Sequence, residues 1–304
     1  MSYHQMHPTI DRDNLDLPLA AKHSTTRLSR LIRMLQRHPS MLIGGCILIL
    51  LIAIAILAPI IAPFDPTAPN TAVRLKPPSR THLFGTDELG RDIFSAVIWG
   101  ARISLRVGLI SMGIGATIGT TLGLISGFYG RWVDTTLMRV IDVMLAFPGI
   151  LLAITFVAIL GPGLNNVMIA VGIANIPRFT RVVRSSVLTV KTLTYIEAAE
   201  AVGIPNARIM LRHILPNVLS PIIVLVTLGI ASAILSAAGL SFLGLGAQPP
   251  TPEWGAMLSK ARGFLRVAWW WATFPGLAIM ITVLAMNLLG DGLRDALDPR
   301  MRNR

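Results

Sequence analysis

Lysine, histidine and cysteine are the residues of this chain best suited to phosphate, metal or nucleophilic chemistry, and their spacing argues against all three. None of Lys22, Lys76, Lys191 and Lys260 follows a glycine, so the glycine–lysine loop that cradles phosphates is missing. There is no zinc-protease His-Glu pair, no Gly-x-Ser-x-Gly elbow and no Cys-His set. His4 and His7 could bind a metal only loosely, from an N-terminal arm expected to be flexible, and Cys46, the one cysteine, lies in an apolar run where no internal disulfide can form. Asp87, Arg91 and Asp92 stand beside Gly85 and Gly90, but not at the spacing of an oxygen cage for calcium. They read as a tight, internally paired loop. No catalytic residue and no metal site are therefore expected.

The elements that hold these residues are membrane helices. Apolar residues make up 53% of the chain and charged ones 14%, and the mean hydropathy is +0.65. The formal charge of +12 does not mark a nucleic-acid binder, because the basic residues flank long uncharged runs and form no patch on a polar domain. Residues 41–62 carry no charge and are long enough to cross a bilayer. The uncharged run Val107–Tyr129 carries Gly115, Gly119, Gly123 and Gly127 at every fourth position, a ladder that permits close helix packing. From Val143 to Pro177 the uncharged run is too long for one crossing, and Gly161-Pro162-Gly163-Leu164-Asn165-Asn166 breaks it into two. Arg178, Arg181 and Arg184 are expected to snorkel from the end of the second of these. Val218–Gly246 and Val267–Gly290 supply the fifth and sixth spans, with Trp269, Trp270 and Trp271 at an interface. The prolines from Pro249 to Pro252 end the fifth span.

The expected fold is an all-α polytopic bundle of six transmembrane helices. Its parts are a basic arm (1–40), a first helix (41–62), an outer loop (63–106), a five-helix core (107–290) with a long loop at 192–217, and a tail (291–304). With the N-terminus inside, the cytoplasmic segments hold 18 Lys and Arg against 9 outside, which puts both termini in the cytoplasm. In the arm, Leu28, Leu31, Ile32 and Leu35 share one helical face and Arg27, Arg30, Arg33 and Arg37 another, a pattern shared by an interfacial helix and a solvated basic arm.

The loop 192–217 is the most structured of the polar segments. Thr194 and Glu197 have the spacing of a capping box, Ala198 and Ala199 favour helix, and Gly203 suits the left-handed residue that ends one. Pro205 opens a second short helix, and Pro216 marks the return to the membrane. The pattern predicts a cytoplasmic helix-turn-helix.

Glu197-Ala198-Ala199, Gly203 six residues after the Glu, and Leu215-Pro216 resemble the EAA loop of ATP-driven importer permeases. Where that family has Ile three residues before the Pro, this chain has His213, with Ile214 beside it. Three further stretches resemble the C-type permease of dipeptide and oligopeptide importers. They run from His82 to Ser95 (through Gly85-Thr86-Asp87-Glu88-Leu89-Gly90-Arg91-Asp92), from Phe242 to Gly255 (through Gly244-Leu245-Gly246-Ala247-Gln248-Pro249-Pro250) and from Asn287 to Pro299 (through Gly290-Asp291-Gly292-Leu293).

The resemblance implies a permease of the bacterial inner membrane that carries dipeptides or short peptides, or another small solute such as glutathione or a metal chelate. It implies four kinds of partner: a second homologous permease, two ATP-binding subunits, a periplasmic or lipid-anchored substrate-binding protein, and membrane lipid. ATP and Mg would be bound by the partner ATPases, and the site residues would be Glu197, Ala198, Ala199, Gly203, Ile214, Leu215 and Pro216 of the coupling loop. A secondary transporter and an intramembrane enzyme are the rival classes. Both need acidic or His groups in mid-span, which the sequence lacks.

Overall fold

The computed structural model of the chain describes residues 39–297; the N-terminal amphipathic pattern, His4, His7 and the end of the tail lie outside them. Among the described residues the fold is helical, with one isolated bridge between Thr86 and Asp92 and no strand. The helices are α1 (Pro39–Ile61), α2 (Ile93–Tyr129), α3 (Arg131–Leu145), α4 (Gly149–Leu160), α5 (Leu164–Lys191), α6 (Thr194–Ala201), α7 (Asn206–Phe242), α8 (Trp254–Ala261) and α9 (Trp269–Leu297). Four of them, α1, α2, α7 and α9, are each long and apolar enough to cross a membrane.

Helix α1 leaves Ile43, Ile49, Ile56 and Ile60 exposed, as a lipid-facing helix must, and packs against α9. That contact depends on Gly44, where an added Cβ would stand 2.7 Å from the Ala285 carbonyl oxygen.

Helix α2 starts at Ile93, well before the uncharged run, so the expected outer loop 63–106 is shorter than its charges suggested. Asp92 caps the helix by accepting from the Ser95 amide at 2.8 Å, and nothing from 93 to 106 breaks it. Hydropathy marks where a helix meets lipid, while capping marks where it begins.

The Gly161–Asn166 turn stands where the sequence placed it. Gly161 and Gly163 take positive φ, and the Asn166 side chain donates to the Leu160 carbonyl at 2.9 Å. The two flanking spans differ from expectation. The first is broken at Ala146–Pro148, where α3 and α4 meet at 92°, leaving α4 only 12 residues, about 18 Å. The second runs through Pro177 to Lys191 as one 28-residue helix. Its arginines keep it from reading as an apolar span.

Candidate functional site

The glycine ladder of α2 is a seam against α5. An added Cβ would lie 2.5 Å from Phe179 Cβ at Gly119, 2.7 Å from Val183 Cβ at Gly123 and 2.8 Å from Val187 Cβ at Gly127. At Gly115 it would lie 3.0 Å from the Gly172 carbonyl oxygen, and Ser111 Oγ donates to the Met168 carbonyl at 3.0 Å nearby. The two helices therefore approach backbone to backbone along four turns, and each glycine is required by its opposite residue.

Beyond the C-terminal ends of α2 and α5 lies the helix-turn-helix. Helix α6 closes in a left-handed turn: Gly203 has φ +75°, its amide donates to the Glu200 carbonyl at 3.0 Å, and the Ile204 amide reaches back to the Ala199 carbonyl at 3.1 Å. This is the six-to-one and five-to-two pairing that glycine-terminated helices use. Asn206 then opens α7, which continues without interruption into the membrane bundle through a π-helical segment, Ile209–Ile214.

The capping box expected at Thr194 and Glu197 does not form. The N-cap is Leu193, its amide bonded to the Val190 carbonyl, so Thr194 falls inside the first turn and Glu197 is too far along to reach back. Glu197 and Ala198 are instead exposed, as are Gly203 and Pro216, while Leu215 is half-buried. Ala199 and Ile214 face inward. With Ile196, Ile209 and Val218 they form a core against Leu124, Phe128, Val183 and Val187 at the ends of α2 and α5. The hairpin is thus anchored on one face and open on the other. Ile214 is wholly buried and His213 half-exposed, so the π segment gives the inward position to Ile214.

Several contacts had no visible signal in the sequence, because their partners lie far apart along it. Lys191 Nζ donates to the Phe128 carbonyl at 2.6 Å, and Asn217 Nδ2 donates to the Tyr195 hydroxyl at 3.1 Å. Arg184 grips Asp134 through both carboxylate oxygens at 2.5 Å, and Arg181 reaches Asp142 at 2.5 Å, joining α5 to α3. Phe128, Tyr129, Lys191, Glu200, Gly203, Ile204 and Asn206 line an open cleft of about 480 Å³ beside the turn.

At the other end of the bundle the polar residues are closed on one another. Asp87 accepts from the amides of Leu89 and Arg91 and pairs with the Arg91 side chain at 2.6 Å, with both residues buried. His82 Nδ1 lies 3.0 Å from Asp92. Glu253 caps α8 through the Gly255 and Ala256 amides, at 2.9 Å each. Burial pushes its carboxyl above the usual carboxylate range, and those two amides oppose the shift. Of the three tryptophans only Trp269 is exposed; Trp270 and Trp271 are core, Trp270 donating to the Thr86 carbonyl at 3.3 Å. Successive residues of a helix point about 100° apart, so three in a row cannot share one interface.

Residues 119–303, which contain the helix-turn-helix, match the family described as binding-protein-dependent transport system inner membrane component. The chain belongs to that family. Residues 26–78 match the N-terminal transmembrane domain of oligopeptide transport permease C. The dipeptide transport system permease protein DppC of Alkalihalophilus pseudofirmus is 52% identical, and the glutathione transport system permease protein GsiD of Escherichia coli 54%, each over 89% of both chains. A solved structure of the MetNI methionine ABC transporter in inward-facing conformations is 19% identical; it matches 68% of this chain and 98% of its own with a TM-score of 0.55, which supports the fold. The chain is accordingly a multi-pass membrane permease component of an ABC importer.

Proposed function

We propose that this permease carries dipeptides or other short peptides inward, driven by ATP hydrolysed on separate subunits. One observation carries the coupling part of this reading. The open face of the hairpin, with Glu197 and Ala198 exposed, leads through the Gly203 turn into a single helix that crosses the bundle, so displacement of the hairpin is displacement of α7. Two ATPases below, a second permease alongside and an external binding protein complete the machine, with ATP and Mg held by the ATPases. Both termini lie in the cytoplasm, on the side with the excess of basic residues. A glutathione cargo is the second reading, favoured by the similarity to the glutathione permease.

Uptake by the reconstituted importer is the test. Labelled dipeptide should accumulate in proteoliposomes supplied with ATP after ionophores have collapsed every ion gradient, and accumulation that vanishes with the gradients overturns the proposal. Single cysteines at Asn70 and Glu197 should label from opposite sides of the membrane. The isolated chain should bind no nucleotide.

A further inference from the structure

On α5, Val171, Arg178 and Ser185 stand seven residues apart and so share one face, which Val167 also joins. In the outer half that face is apolar and covered: Val167 and Val171 are buried in a cluster with Ala153 and Val157 of α4. In the inner half it carries Arg178, Arg181 and Ser185, all exposed. The change has a structural cause. Helix α4 is only 12 residues long, and at Ala146–Pro148 the chain turns through 92° into α3, leaving the lower part of the α5 face uncovered.

The depth of these arginines follows from the glycine seam. Gly119 meets Ile176 and Phe179, and Gly123 meets Thr180 and Val183, so Arg178 and Arg181 lie level with those two glycines. Gly119 is about 20 Å along α2 from Arg106 and about 15 Å from the end of that helix at Tyr129, just beyond which Arg131 is the next charge. Arg178 is therefore close to the middle of the apolar layer, too deep to reach either surface by snorkelling from the last turn. A guanidinium exposed at that depth needs water or a counter-charge. Arg181 has Asp142, in a pair with both side chains 55% exposed. Among the described residues no ion pair includes Arg178.

We propose that Arg178 and Arg181 line a water-filled passage at mid-membrane depth, and that Arg178 receives the carboxylate of the solute as it crosses. Guanidinium offers a planar donor pair that matches a carboxylate, and Asp142 keeps Arg181 from holding the solute too tightly. The carboxylate clause rests on the peptide reading above; the water-filled passage does not.

Two measurements on the complete importer test this. In a Cys46→Ser background in lipid nanodiscs, Arg178→Cys should react with a charged, membrane-impermeant methanethiosulfonate at least about tenfold faster than Ile49→Cys on lipid-facing α1, since thiolates form only where water reaches. Rates as slow as those of Ile49→Cys overturn the passage, whether lipid or the partner permease covers the face. Uptake of dialanine and of its C-terminal amide is then compared. Arg178→Gln should lower dialanine uptake by about tenfold while changing the amide far less, and Arg178→Lys should restore much of the difference. An unchanged acid-to-amide ratio in Arg178→Gln overturns the carboxylate role. Wild-type importer that carries neither probe overturns the peptide reading, a failure separate from slow labelling.

Discussion

The two ends of this bundle use similar charged residues in opposite ways. At one end, Asp87, Arg91, Asp92 and Glu253 are buried and spend their hydrogen bonds on each other or on nearby backbone amides. At the other end, Glu197, Glu200, Arg208 and Arg212 are exposed on a hairpin whose apolar face alone is anchored. Charges satisfied within the chain hold a loop in shape, whereas charges left open on an anchored frame are available to another molecule. Net charge and motif matching do not separate the two cases, and burial does.

The comparison is most easily broken at the closed end. Asp87→Ala leaves Arg91 buried without its partner, a loss of about 3–5 kcal/mol by analogy with other buried pairs. The protein should fall sharply in abundance and in melting temperature in membranes; a variant as stable as the parent would show that the outer loop is not self-closed. The seam comes next. Gly119→Val places a branched side chain where even a Cβ meets Phe179 Cβ at 2.5 Å, and overpacking of this kind costs about 1–3 kcal/mol. Thermal stability should drop, while Gly113→Val, whose Cβ would meet nothing within 4 Å, should leave it unchanged.

Changes in the hairpin should trade stability effects for transport effects. Gly203→Val forces a β-branched residue into φ +75°, straining the turn by about 1–2 kcal/mol without any steric clash. Uptake and the stimulation of the partner ATPase should fall while the permease stays abundant. If the protein simply disappears from the membrane, the hairpin belongs with the outer loop as architecture. Glu197→Ala has the smallest structural effect, within about 0.5 kcal/mol, because the side chain is exposed and caps nothing. Any transport defect beyond that is a direct measure of contact with a partner, and normal uptake would remove Glu197 from the docking surface.

Much of this arrangement was legible in the sequence where one helical period governs it. The ladder Gly115, Gly119, Gly123 and Gly127 needed only its spacing to be read as a packing face, and Gly203 needed only its place after the alanines. What failed to show were features that depend on a neighbour distant in sequence. Arg178 and Arg181 read as the last turns of a span because their charge ended the apolar run, whereas the helix continues past them to Lys191. The bend at Ala146–Pro148 lies inside an uncharged run and so altered no count. Thr194 and Glu197 had the right spacing for a cap, yet the turn at Val190–Leu193 set the helix start one residue earlier.

The π segment at Ile209–Ile214 fixes the screw phase between the hairpin and the span that follows it. An α-helix advances about 100° per residue, so accommodating one extra residue in a turn rotates everything before it by that amount relative to everything after. With the segment in place, Ile214 points into the anchor and Glu197 stays on the open side. Deleting one residue between Met210 and His213 keeps nearly every side chain of the hairpin and the span, yet should turn one against the other. Such a deletion would act like a gear remeshed one tooth out, and if the hairpin transmits motion as proposed, it should change the direction in which α7 is moved while sparing both parts.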